Sequence, residues 1–204
     1  MCGLFALSAK TKNVEKLLPR VKVPEDLKQR LAIAPTQDIA VVLNDGNNDV
    51  TFVKWGLIPF WSKDASIGKK MFNARAETLM EKPSFKNPFK YKRCIIIADA
   101  FYEWEKQEAT SKKIRHTIKM KSGEPFALAG LWDTWTDKTT GETLTTATII
   151  TTVPNELIEE IHDRMPVIIP PDKIDLWLEN GGDNIKELLC LLKPYPSEEM
   201  EITN

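Results

Sequence analysis

Four residues of this 204-residue chain have side chains suited to making and breaking covalent bonds together: Cys2, Asn73, Glu103 and His162. Cys2 comes first because of where it stands. If Met1 is removed, as the small residue behind it permits, the chain opens on an α-amine and a thiol carried by adjacent carbons. Their ordinary pKa values, about 7.7–8.0 for the amine and about 8.5 for the thiol, leave a usable fraction of each reactive at neutral pH. An aldehyde reaching such a terminus is trapped twice. The amine condenses to a Schiff base and the thiolate closes on the same carbon, giving a five-membered thiazolidine that no internal cysteine or lysine forms. The plain alternative, a small residue near a chain start, is the commoner reading of a lone cysteine here, so its company decides.

That company lies in three short clusters: NARAE at 73–77, ADAFYEW at 98–104 and HDRMP at 162–166. Asn73 and Arg75 alternate around Ala74, so in an extended segment both side chains point to one side. An amide that donates and accepts, beside a planar cation, suits orienting a reacting group next to a phosphate. Glu103 stands between Tyr102 and Trp104 at the end of an apolar run, and aromatic neighbours raise a carboxyl toward neutrality, where it serves as an acid. Taken alone it is equally an outward-facing strand residue. His162, with Asp163 and Arg164 behind it, follows the helix-like NELIEEI and is either an acid–base group or a surface histidine near a helix end. His116 shares a strand face with Ile114 and Ile118 and reads as structural.

The elements that must position these residues read as α+β. Runs rich in Val, Ile, Thr and aromatics predict strands over 3–8, 38–44, 50–56, 94–101, 114–120, 126–132 and 144–152. Helical patterns fall over 12–19, 24–32, 154–161, 172–179 and 184–192, with Pro154 and Pro171 marking two starts. Strands and helices do not alternate regularly, so a doubly wound parallel sheet is set aside for an antiparallel, barrel-like core with peripheral helices. The length fits a single domain over 1–204, with an acidic tail from about 193 read as solvated. The two longest unassigned stretches are 57–93 and 162–171, and loops of that length carry function.

Composition narrows the classes. Three unclustered cysteines form no zinc or disulfide-exchange spacing and fit a reducing cytoplasm; Cys94 and Cys190, each in an apolar run, are expected to be buried packing residues. The opening MCGLFALSAK lacks a basic leader and is too short to span a membrane. The net charge of −1 hides a segregation: residues 61–93 hold nine Lys or Arg against three acids, while from 153 onward twelve acids face four bases. The basic segment is interleaved with Phe60, Trp61, Phe72, Phe85, Phe89 and Tyr91. Cations among aromatics suit a surface that neutralises phosphates while bases or sugars stack; the alternative is a solvated loop whose rings plug the core.

Six blocks in order, MCG at the start, KWGLIPFW at 54–61, NARAET at 73–78, KRCIIIADAFYEW at 92–104, FALAGLW at 126–132 and HDRMPVII at 162–169, resemble the SRAP (SOS response-associated peptidase) family. The resemblance implies a protein that shields abasic sites in single-stranded DNA by covalent crosslinking, with self-processing peptidase and lyase activities also in view. Carried over, Cys2 is the crosslinking residue, Asn73 positions the adduct, and Glu103 and His162 are the acid–base pair. Arg75 and Arg164 are implied phosphate contacts, Trp61 an aromatic stacking near the lesion, and Lys70 joins them as a DNA contact from the basic segment. The partner implied is single-stranded DNA bearing abasic sites, met by a monomer in the cytoplasm, at the nucleoid in a bacterium, with no metal or other cofactor. One departure stands out: the family usually begins MCGRF, and here Leu4 replaces the arginine, so weak or strongly salt-dependent DNA binding is expected.

Other classes remain. MCGLF also matches the start of class II glutamine amidotransferases, whose terminal thiol attacks an amide with the α-amine as base, although that reading leaves ADAFYEW and HDRMP unexplained. A thiol peptidase would leave the α-amine superfluous. A non-catalytic DNA-binding module would need only the basic segment.

Overall fold

The most apolar runs close on one another. Strands β3 (Asp38–Leu43), β4 (Val50–Trp55), β6 (Arg93–Ala98), β9 (Phe126–Thr136) and β10 (Thr143–Thr152) pair in the order β4–β3–β6–β9–β10, and β10 pairs back on β4. The result, in the computed structural model, which describes residues 2–106, 113–181 and 184–203, is a closed five-stranded barrel. Its contacts are antiparallel except between β10 and β4. Every residue of β6 is buried, which explains its unbroken apolar reading. Where β6, β9 and β10 meet, Gly130 admits no side chain: a Cβ there would stand 2.6 Å from Ile96 Cδ1 and 2.8 Å from Cys94 Sγ.

A second, antiparallel sheet lies against the barrel in the order β13 (Met200–Thr203), β8 (Lys113–Met120), β7 (Ala100–Lys106), β1 (Phe5–Leu7), β2 (Arg30–Ile33). The run expected as one strand over 94–101 is therefore two, cut at Asp99. Asp99 Oδ2 accepts the Ser8 amide at 2.6 Å and its hydroxyl at 2.7 Å, while the Asp99 amide donates to Ala6 at 2.9 Å. A polar residue inside an apolar run thus marks a corner, where the chain leaves the barrel for the second sheet.

Several expectations are corrected. No helix forms over 24–32: the chain turns after Pro24 and its end becomes β2, because edge pairing with β1 satisfies backbone groups there. Residues 154–161 make turns only; the Asn155 carbonyl accepts from both Ile158 and Glu159, and no helix is built on from there. Helices α3 (Ile174–Leu178) and α4 (Ile185–Cys190) fall inside expected ranges and α1 (Thr11–Leu17) begins one residue before its own, but α2 (Pro83–Tyr91) lies in the segment left unassigned. Pro88 inside it disguises the helix, which nevertheless buries Phe85, Pro88 and Phe89. Cys190 is exposed rather than buried, because α4 buries only Leu188. The acidic end supplies β13 rather than a wholly solvated tail. Among the described residues, no helix is long and apolar enough to cross a membrane.

Candidate functional site

Three rings bring the first residues of the chain to NARAE. Phe5 meets Trp55 at 5.1 Å between centroids, edge to face, and Trp55 meets Phe72 at 6.1 Å. Trp55 also donates its Nε1–H to the Phe72 carbonyl at 2.8 Å. Phe5 and Trp55 are wholly buried, so this stack joins β1 to the barrel and sets Cys2 against Asn73, the residue after Phe72. Strand β5 (Asn73–Arg75) then runs parallel beside β10, with Asn73 level with Ile149 and Arg75 with Thr151. Its middle residue, Ala74, is buried. Asn73 Nδ2 donates to the Cys2 carbonyl at 2.8 Å, and Asn73 Oδ1 is a buried acceptor with no hydrogen-bond partner among the described residues.

Glu103 arrives from the other side. Phe5 pairs with Phe101 across β1 and β7, and the Tyr102 amide donates to Leu4 at 3.0 Å. The same register continued places Glu103 level with Gly3, one residue from Cys2. Its side chain is 2% exposed, and burial pushes the carboxyl up to about 7. Near neutrality it is thus split between the form that gives a proton and the form that takes one. Cys2 is wholly buried, and desolvation first, then the nearby Glu103 charge, drives its thiol well above the ordinary range. Met1 lies outside the described residues.

His162 completes the centre from the loop between β10 and β11 (Met165–Pro166), which folds back onto β10. His162 Nε2 stands 3.8 Å from Glu103 Oε2. Its Nδ1 lies 3.0 Å from the Arg164 amide and 2.9 Å from Asp163 Oδ1, two contacts that ask for opposite tautomers. The backbone amide favours acceptance at Nδ1, and in the neutral tautomer that follows from it Nε2 carries the proton, on the side of Glu103.

The residues expected to meet phosphate divide. Arg75, Lys70 and Trp61 are exposed, the last two on the 57–72 segment that leads into Asn73. That segment is clamped where Gly56 and Gly68 touch: at φ +134° a side chain on Gly56 would collide with the Gly68 carbonyl, and one on Gly68 would stand 2.8 Å from the Gly56 carbonyl. Arg164 is placed differently. It is 7% exposed, and its guanidinium donates to both oxygens of Glu77 at 2.7 and 3.0 Å and to the Thr151 carbonyl at 2.6 Å. The pair holds the Glu77 carboxyl below the usual range, and a phosphate at Arg164 would have to compete with it. Glu77 is the residue that sequence reasoning quoted within NARAE without giving it a role; its partner lies 87 positions away, and no local spacing announces the pair.

On β8, His116 stands level with Glu103, and its Nε2 lies 2.9 Å from Glu105 Oε2 of the same neighbouring strand. Leu4 packs with Ala6, Ala100, Tyr102 and Trp104 on one face of the second sheet.

Comparison with known proteins shows the family to which the chain belongs. The model of the family described as SOS response associated peptidase (SRAP) matches residues 1–204. The chain is 46% identical over 208 residues to the abasic site processing protein YoqW of Bacillus subtilis, covering 98% of this chain and 90% of that one. It is 32% identical over 180 residues to the abasic site processing protein HMCES of Rattus norvegicus, covering 74% of this chain and 51% of the other. A crystal structure of a protein from Bacteroides thetaiotaomicron superposes with a TM-score of 0.88 at 32% identity, covering 98% of this chain and 90% of that one.

Proposed function

Because the chain belongs to the SOS response associated peptidase family, whose curated relatives are named abasic site processing proteins, we propose that it captures abasic sites in single-stranded DNA as a covalent thiazolidine on Cys2. The observation that carries the reading is the meeting of Cys2, Asn73 and Glu103, brought together by the 2.8 Å bond from Asn73 to Cys2 and by the pairing of β1 with β7. A glutamine amidotransferase needs no buried carboxyl and imidazole facing one another at the thiol, and capture of a sugar does.

A sugar that has lost its base is mostly a closed hemiacetal. Opening it takes a proton from the anomeric hydroxyl and gives one to the ring oxygen; Glu103, with a pKa of about 7, and the His162 Nε2–H supply both halves. The freed aldehyde accepts the Cys2 amine, and the carbinolamine loses water to give a Schiff base. Burial holds the thiol protonated, so the amine attacks first. The sulfur then bonds to the imine carbon while the nitrogen takes up the thiol proton, closing the ring. Asn73 Oδ1 is the acceptor positioned for a hydroxyl or N–H of this adduct.

The order of events sets the product. A β-elimination that cuts the strand needs the C=N bond, and ring closure removes it, so the thiol decides between shield and lyase. Removal of Met1 by the chain itself would use the same thiol and carboxyl. The protein acts as a monomer on one strand, wherever single-stranded DNA is exposed in the cytoplasm or nucleoid. The test is a denaturing gel of protein with an oligonucleotide holding one abasic site, alongside intact-mass determination. A heat-stable band on protein lacking Met1 is the expected result. No band from protein with a free Cys2 amine would overturn the reading and direct attention to glutamine hydrolysis.

A further inference from the structure

The face of the second sheet that carries Glu103 holds a histidine that the capture chemistry does not use. Side chains alternate along a strand, so Phe101, Glu103 and Glu105 of β7 share one face, and Ile118, His116 and Ile114 of β8 stand level with them. His116 is therefore the residue directly across from Glu103, a placement in which Cβ atoms lie about 4.5–5.5 Å apart. Its side chain is 12% exposed, and its Nε2 lies 2.9 Å from Glu105 Oε2. Its Nδ1 is buried and meets no hydrogen-bond partner among the described residues. Isoleucine occupies both neighbouring positions of β8 on that face, so filling space there asks for no polar ring, and a buried nitrogen left unsatisfied calls for a reason.

The surroundings are acidic. The turns of 154–161, which lead into His162, lie against this face, and their Glu156 and Glu160 share with Glu105, His116 and Ile202 a cavity of about 300 Å³. From β13, Ile202 is level with Ile118 on the same face, whereas Glu201 pairs with Lys119 on the other, where Arg115 also lies over the Tyr102 ring. His116 thus faces Glu103 and Glu105 from the neighbouring strand and Glu156 and Glu160 from the turns. Among the described residues it is the one basic side chain that β7, β8 and β13 place on this face. Glu103 in turn meets His116 from β8, His162 and Asp163 from the loop after β10, and Cys2 from the start of the chain.

Charge decides what such a ring does to the carboxyl opposite it. A cation beside a carboxylate favours the charged form, so a protonated His116 eases the proton off Glu103 while Glu105 holds that cation in place. A neutral ring withdraws the support and leaves Glu103 among like-charged neighbours, which keeps its proton on. An imidazole changes charge in the same range of pH in which capture asks Glu103 both to give a proton and to take one.

We propose that His116 is a positioning residue for the proton on Glu103: held by Glu105 and level with Glu103, its charge sets how readily that carboxyl releases its proton, and hence the pH at which capture turns on. The inference rests on the capture reading for the role of Glu103, whereas the coupling between the two residues is a property of the free protein.

Two measurements test it. The capture rate of His116→Gln, read from gels across pH, should turn about one pH unit higher than that of wild type, because the cation opposite Glu103 is gone. His116→Lys, which keeps a cation there, should turn lower than His116→Gln. A role in packing alone would lower the rate at every pH and leave the turn in place. The second measurement needs no DNA. The chain has two histidines, so protein labelled in its imidazole rings gives two sets of nuclear magnetic resonance signals, and His116→Gln assigns them. Coupling is reciprocal, so in Glu103→Gln, which lacks the carboxylate opposite the ring, His116 should titrate at lower pH than in wild type. A turn that stays in place in His116→Gln overturns the proposal, as does a His116 titration indifferent to Glu103→Gln. If the two residues titrate together and no adduct with abasic-site DNA forms at any pH, the link between them stands and the capture reading fails.

Discussion

The reactive centre and the basic aromatic segment are built in opposite ways. At Cys2 the groups are buried, held by the closed barrel and the second sheet, and altered by that burial: the Glu103 carboxyl rises to about 7 and the Cys2 thiol rises further. Along that segment Phe60, Trp61 and Tyr91 are exposed, and what is fixed is the backbone, the Phe60 amide on buried Asp133 and the Tyr91 carbonyl on buried Asn44. Chemistry requires groups whose proton affinities are tuned by a dry surrounding, whereas holding a strand requires surfaces already open to it. The two regions should therefore fail differently: changes at the centre alter rate and pH dependence, and changes along the segment and its lysines alter affinity and salt dependence.

The largest effect belongs to Cys2→Ala. It removes the heat-stable adduct altogether while leaving a terminal amine able to form a Schiff base, so the variant should yield a borohydride-trappable complex and more strand cleavage than wild type. A heat-stable adduct that survives in Cys2→Ala would place the linkage elsewhere.

Next comes Glu103→Gln. Loss of the proton carrier should slow capture about a hundredfold, in the range of one acid–base group, and flatten a rate profile that otherwise turns near pH 7. The same residue gives a stability signature. Its folded pKa lies above the ordinary carboxyl value, so between about 4.3 and 7 the folded state binds more protons than the unfolded one. Stability should therefore fall as pH rises through that window, and thermal melts of Glu103→Gln should lose this dependence. An unchanged pH trend in the variant would assign it to another group.

Glu77→Gln should cost about 1–3 kcal/mol of stability, because it leaves the Arg164 guanidinium, 9% exposed in its side chain, without its charged partner. Since the Arg164 amide also holds His162 Nδ1, the variant should shift the pH profile of capture, and Glu77→Asp should partly restore it. A loss of stability with an unaltered pH profile would make the pair a strut alone.

How much of this the sequence foretold depends on whether the signal was local. The barrel strands read correctly because fully buried strands are continuous apolar runs, as in CIIIA and FALAGLW. Strand β2 and the short β5 were missed because their pairing is dictated by β1 and β10, distant in sequence, and α2 because Pro88 argues against a helix that Phe85 and Phe89 anchor from below. For the site, the residue types at 2, 73, 103 and 162 suggested from their neighbours that they belong together, and the 2.8 Å bond between Asn73 and Cys2 and the 3.8 Å approach of His162 to Glu103 bring them together in pairs. The Glu77–Arg164 pair was illegible, since each member reads alone as an exposed charge. The aromatics of the basic segment divide: Phe72, Phe85 and Phe89 pack inward, as the core-plugging reading expects, while Phe60, Trp61 and Tyr91 face out.

The smallest effect concerns Leu4, and it tests whether the second sheet joins the basic segment in holding DNA. Leu4 packs beside Tyr102, and the Arg115 guanidinium already lies over the Tyr102 ring at 5.2 Å from its centroid. A cation is thus present on the face where the family usually carries arginine at position 4, supplied by β8 instead of β1. If Arg115 meets a phosphate there, Arg115→Ala should lower the slope of log affinity against log salt by about 1, and Leu4→Arg combined with Arg115→Ala should return it. A slope that Arg115→Ala leaves unchanged while Leu4→Arg alone raises it by about 1 would show that Leu4 is a true loss of one phosphate contact, with the lysines of the 61–93 segment carrying the strand unaided.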